Sequence, residues 1–140
     1  MTEDMERQLR DFFESGIPFN AFLGMKIAAL GNGSCTLVLP FREELVGDHR
    51  RGALHGGVLS TLADTAGGLA VFTTFDDPGM RTSTVDLRVD YLRPGRLEDL
   101  YCDAKVIRSG NRVAATSMVL RQGEHVPAEC RGVYNVVRRS

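Results

Sequence analysis

From His55 to Phe72 the sequence reads HGGVLSTLADTAGGLAVF, small or apolar on nearly every helical face, with one carboxylate, Asp64, in its interior. A helix without a polar side is buried all round, so the rest of the chain has to supply what surrounds it. The flanking segments read as strands. Val85, Leu87, Val89 and Tyr91 alternate with Thr84, Asp86, Arg88 and Asp90, the period of two that marks a half-buried strand. Pro94-Gly95 stops it. Leu100 to Ile107, Val113 to Arg121 and Ala128 to Val137 continue as strands, with turns at Ser109-Gly110-Asn111 and Gln122-Gly123-Glu124. Upstream, Met25 to Leu30 and Cys35 to Leu39 form a hairpin across Gly31-Asn32-Gly33, a strong turn signal. Phe41 to Leu54 and the stretch around Asp76-Asp77-Pro78-Gly79 read as loops. The economical arrangement is an α+β domain, an antiparallel sheet wrapped around one long central helix.

A short amphipathic helix is expected over residues 1–16. Met5, Leu9, Phe12 and Phe13 follow one helical face, Glu3 and Asp4 suit its positive start, and Gly16 and Pro18 end it. At 140 residues the chain reads as one domain spanning 1–140. Gly67 and Gly68, inside the central helix, cost about 1 kcal/mol each relative to Ala. They make sense if another backbone comes very close.

Seventeen basic against eighteen acidic side chains give a net charge of -1, so no nucleic-acid partner is expected; the Arg50-Arg51 and Arg138-Arg139 pairs are local features without a basic stripe. No apolar run approaches the roughly 20 residues that span a bilayer, and the opening MTEDMERQLRDFFESG lacks an apolar signal core. Cys35, Cys102 and Cys130 are odd in number and sit in apolar or alternating stretches, which fits a reducing, cytoplasmic location.

Chemistry concentrates on the central helix. Gly57 and Asp64 are seven residues apart, two turns, and so lie on nearly one face. The first N–H groups of a helix lack internal partners and its dipole favours negative charge there. Glycine lets a substrate carbonyl come close, where a developing oxyanion gains a few kcal/mol. Asp64 reads either as a paired core residue or as a nucleophile or general base. His55, at the helix start, either makes a structural hydrogen bond or polarises a substrate group. Other constellations fail. His49, His55 and His125 with the cysteines show no zinc spacing, no G-x-S-x-G elbow supports Ser60, and Gly31-Asn32-Gly33 lacks the rest of a dinucleotide fingerprint.

The run LHGGVLSTLADTAGGLAV, followed by TVDLRVDYLRPG and preceded by PFNAFLGMKI, strongly resembles the phenylacetate-pathway (PaaI-like) branch of the hot-dog-fold acyl-CoA thioesterases. The resemblance implies a curved sheet as bun and the central helix as sausage, with no metal or redox cofactor. It implies two subunits pairing edge to edge, and such dimers associating into tetramers. It further implies an active site between subunits, with Gly57 of one holding the thioester oxygen and Asp64 of the other attacking or activating water, while His55 shapes the helix entrance. Where relatives carry an asparagine, six residues before the histidine, this chain has His49. Thr84 stands where relatives carry serine or threonine, although the alternation sets it opposite Val85, Leu87 and Val89. For the CoA end the resemblance suggests Tyr91, Arg93, Pro94 and the turn Arg108-Ser109-Gly110. Partner-chain side chains such as Leu59, Leu62, Phe72 and Met80 are expected to shape the acyl pocket, for an aryl- or medium-chain acyl-CoA, with hydroxylated acyl groups also open. A non-catalytic acyl-CoA-binding module is the alternative; the histidine–acid pattern of the dehydratases on this fold is missing.

Overall fold

The computed structural model describes residues 1–77 and 79–137; Pro78 and the Arg138-Arg139 pair lie outside the described residues. The N-terminal helix α1 (Glu3–Arg10) is capped by Thr2, whose Oγ1 accepts from the Met5 N–H at 3.1 Å. It continues as a wider π-helical turn through Asp11–Gly16, which brings Phe12 and Phe13 together against Phe72, at ring separations of 6.0 and 5.3 Å. Pro18 does more than end this segment. It opens a second helix, α2 (Pro18–Leu23), at a first-turn position where its missing N–H costs nothing.

The hairpin of β1 (Lys26–Gly31) and β2 (Ser34–Leu39) forms as expected. The segment read as a loop holds a 3-10 turn, Glu43–Leu45, and a ribbon of β3 (Val46–Asp48) on β4 (Ala53–Leu54). Strands of three and two residues are too short to show an alternation. The central helix α3 (Gly56–Phe72) follows, then β5 (Arg81–Tyr91), β6 (Leu100–Ser109), β7 (Val113–Gln122) and β8 (His125–Val137).

Six strands form one antiparallel sheet in the order β1-β2-β6-β7-β8-β5. β5 therefore crosses to the far edge and pairs with β8 rather than with β6. α3 lies on the sheet, with Leu59, Leu62, Ala63, Ala66, Leu69 and Ala70 packed against Leu37, Leu39, Leu100, Cys102, Met118, Leu120 and Ala128. Burying each such leucine stabilises the fold by about 1.5–3 kcal/mol, more than the helical glycines cost.

The two sheet edges differ. On β1, Arg10 Nη1 donates to the Ile27 carbonyl at 2.7 Å and the Ile27 N–H donates to Glu14 Oε2 at 2.7 Å, so the N-terminal helices blunt that edge. β5 is eleven residues long, and its Val85 and Tyr91 are 62% and 55% exposed.

Candidate active site

Asp64 sits half-buried in the middle of α3, and two neighbouring strands reach it. Thr84 Oγ1 of β5 donates to Asp64 Oδ1 at 2.7 Å. Tyr134 Oη of β8 lies 2.8 Å from the Asp64 carbonyl oxygen and 3.3 Å from Oδ1. Thr84 and Tyr134 are direct cross-strand partners. The expectation that Thr84 faces away from Leu87 and Val89 is corrected by a β-bulge. The register pairs Thr84 with Tyr134 but Asp86 with Val133, so Val85 is the extra residue. An inserted residue resets the alternation: Thr84, Leu87, Val89 and Tyr91 all turn toward α3, opposite Tyr134, Gly132, Cys130 and Ala128.

Tyr134, 1% exposed, is the residue that sequence reasoning missed. The signal lay in the glycines. A Cβ on Gly67 would overlap the Tyr134 hydroxyl and ring, and one on Gly132 would come within 2.7 Å of the ring and 2.9 Å of Thr116 Oγ1. Gly67 thus makes room for an aromatic side chain, not for a second backbone. Burial, with the Asp64 carboxylate beside it, pushes the Tyr134 phenol well above its ordinary range, so it stays a proton donor.

At the start of α3, His55 is the N-cap, and its Nδ1 accepts from the Gly57 N–H at 2.8 Å. The donor assigned to a substrate oxygen is therefore held by this imidazole. His55 is in turn anchored through its own N–H to the Leu45 carbonyl at 2.9 Å. Gly47 of β3 passes so close that a Cβ there would lie 2.6 Å from the His55 Cα. His49 stands exposed in the β3–β4 turn, and its side chain makes no hydrogen bond to Asp64 or Gly57.

The residues suggested for CoA divide into two groups. Tyr91, Arg93 and Pro94 line a cleft of about 320 Å³ together with Arg51, Gly56 and Leu59, and Tyr91 Oη donates to the Gly56 carbonyl at 3.0 Å. Arg108, Ser109 and Gly110 lie elsewhere. Through the ladder, Ser109 is level with Ala114, Tyr134 and Thr84, whereas Tyr91 is level with Ala128 and Leu120. The two groups occupy opposite ends of the sheet within one chain. Of the expected acyl-pocket residues, Phe72 and Met80 line an apolar cavity of about 310 Å³ beneath α1, Leu59 lines the cleft, and Leu62 is core.

Comparison with known proteins agrees with this architecture. A family profile described as the thioesterase superfamily matches residues 51–128, the span from the turn before α3 into β8. The chain is 34% identical over 128 residues to the medium/long-chain acyl-CoA thioesterase YigI of Escherichia coli, covering 83% of each. It is 40% identical over 100 residues to a Halobacterium salinarum protein named as an esterase, covering 70% of this chain and 66% of that protein, just under two thirds. A crystal structure from Shewanella oneidensis, related to the thioesterase superfamily, superposes with a TM-score of 0.86 at 30% identity over 98% of this chain and all of that one. With the central helix, the antiparallel sheet and more than half its length matched, the chain belongs to the thioesterase superfamily and has its hot-dog fold.

Proposed function

We propose that this protein hydrolyses an acyl-CoA to the free acid and CoA, in a site completed by a second copy of the chain. The observation that carries this reading is Asp64, held by Thr84 and Tyr134 on the face of α3 that also bears Gly57. Gly57 and Asp64 are seven residues apart, about 10 Å along the helix axis. A carbonyl group is only about 1.2 Å long, so one thioester cannot meet both within a single chain. Gly57 of one subunit acts with Asp64 of its neighbour, and the open β5 edge is where the two sheets join.

Asp64 attacks the thioester carbon directly, or takes a proton from water whose oxygen does so. The carbonyl oxygen gains charge and is held by the Gly57 N–H. The C–S bond then breaks and CoA leaves as a thiolate, whose parent thiol has a pKa of about 8.5; the water route gives the free acid at once, whereas direct attack leaves an anhydride on Asp64 that a water hydrolyses to the free acid and the restored carboxylate. His55 has to release the Gly57 N–H for this step. Losing such a cap costs about 1 kcal/mol, whereas one oxyanion donor contributes about 3 kcal/mol; the substrate wins. Thr84 holds the carboxylate, and His49 stands where relatives have asparagine, to order the water or substrate. The cleft with Tyr91, Arg93 and Pro94 receives the CoA end, with Arg108, Ser109 and Gly110 available from another subunit.

The apolar cavity beneath α1 is the place for the acyl group, which this reading takes as a medium or long aliphatic chain. Phe72, one of its walls, lies eight residues beyond Asp64 on α3. Asp76 and Asp77 at the rim disfavour an anionic occupant. The similarity to a medium/long-chain enzyme supports the same class. Dimers or dimers of dimers in the cytoplasm complete the proposal, in keeping with three free buried thiols.

The reading as a non-catalytic acyl-CoA binder draws on one observation, the capture of the Gly57 N–H by His55. Thiol release from a panel of aryl- and alkyl-CoA thioesters decides. Wild type is expected to turn over medium-chain substrates, and Asp64→Asn to lose on the order of 1,000-fold or more in kcat. Tight binding without release by the wild type would establish the binder instead.

A further inference from the structure

Both side-chain contacts to Asp64 converge on one oxygen. Thr84 Oγ1 donates to Oδ1 at 2.7 Å, and Tyr134 Oη approaches the same Oδ1 at 3.3 Å while bonding the residue's own carbonyl at 2.8 Å. Among the described residues, Oδ2 has no hydrogen-bond partner. The two donors come from adjacent strands and are paired directly across the ladder, so the sheet sets their spacing. Thr84 reaches the carboxylate only because of the bulge at Val85, and Tyr134 only because Gly67 and Gly132 leave room for its ring. A helical glycine opposite a strand tyrosine is a costly way to fill a core, since Gly67 gives up about 1 kcal/mol of helix propensity. The slot is explained if the hydroxyl has work to do at Asp64.

We propose that Tyr134 is a positioning residue for Asp64: with Thr84 it ties down Oδ1, so that Oδ2 is the oxygen that meets the thioester or its water. This rests on the acyl-CoA hydrolase reading of the same site. A carboxylate free to rotate about its terminal torsion offers either oxygen over a broad range of angles. One held at Oδ1 from two strands presents Oδ2 in a single direction, the kind of orientation whose loss costs up to about 100-fold in rate. The groups facing Asp64 are Thr84 from β5 and Tyr134 from β8, with the Cys102 thiol of β6 beyond Tyr134. Among the described residues no Lys, Arg or His is ion-paired with it. The phenol keeps its one proton across the working range and shares it between the Asp64 carbonyl at 2.8 Å and Oδ1 at 3.3 Å, so it remains a donor to this residue. Hydrogen bonds to a carboxylate favour its charged form, so removing one acts in a known direction.

The test is Tyr134→Phe, which keeps the ring in its slot. Expected are a fall in kcat on the order of 10- to 100-fold, an unchanged KM, and an acid limb of the kcat/KM profile moved to higher pH. A double-mutant cycle with Thr84→Val is expected to be non-additive, because both donors serve one oxygen. Unchanged kcat and acid limb with a lowered Tm would make Tyr134 a mere anchor of α3 and overturn the proposal. If the wild type hydrolyses nothing, the function reading is what has failed. The carboxyl carbon of Asp64, followed by NMR in both proteins, then still decides: a titration moved by Tyr134→Phe supports the clamp, and coincident titrations refute it. If Tyr134→Phe does not fold, 3-fluorotyrosine at position 134, a stronger donor of nearly the same shape, is expected to move the acid limb to lower pH; no movement counts against the proposal.

Discussion

Two adjacent glycines in α3 look alike in the sequence and differ in the fold. A Cβ on Gly67 overlaps the Tyr134 hydroxyl, whereas one on Gly68 would only touch Tyr134 Cε2 at 3.8 Å. In an open helix, Gly→Ala gains about 1 kcal/mol. At Gly67 that gain is outweighed by overpacking of about 1–3 kcal/mol and by displacement of the buried phenol. Gly67→Ala is therefore expected to lower Tm by several degrees, and Gly68→Ala to leave it unchanged or raise it, as thermal unfolding of the two variants will read directly. The same comparison shows where residue-level legibility ends. That α3 needed close approach was visible from Gly67. That a side chain came, from a strand seventy residues away by number, was not.

At the scale of elements, the long periodic segments could be read and the short or irregular ones could not. α3 and the six strands of the large sheet follow the expected order because their patterns run for six residues or more. β3 and β4 carry no such pattern, and Pro18 opens α2 where only an ending was expected. The bulge in β5 is the instructive case. Alternation across Val85 is perfect in the sequence, yet the ladder skips there, so Thr84 joins the face it was expected to avoid. β5 is also the edge left open once Arg10 and Glu14 have covered β1. Placing a charge on an edge discourages pairing. With the two sheets joined at this edge as proposed, Val85→Lys is expected to shift the protein toward monomer in sedimentation velocity and to lose hydrolysis with it. Full activity in a monomer would mean that one chain holds a complete site.

At the scale of the whole molecule, the sheet and α3 enclose the three thiols together. Cys35 Sγ donates to the Ala66 carbonyl at 3.2 Å, and burial pushes the Cys35 and Cys130 thiols up to about 12 and the Cys102 thiol well above its ordinary range. The reactive thiolate is then scarce at pH 8, and access requires separating helix from sheet. A disulfide reagent is expected to titrate none of the three in the native protein and all three in denaturant; fast labelling under native conditions would show that this core opens readily. What the sequence by itself determined is the order of elements, the buried helix and the placing of Gly57, His55 and Asp64 upon it, because helical period and backbone polarity are local properties. Only the tertiary structure decided that His55 holds the Gly57 N–H, that Thr84 and Tyr134 meet at one oxygen of Asp64, and that the suggested CoA residues split between the two ends of the sheet. Those facts depend on strand register and on which edges pair, and register is set by contacts between residues far apart in the chain.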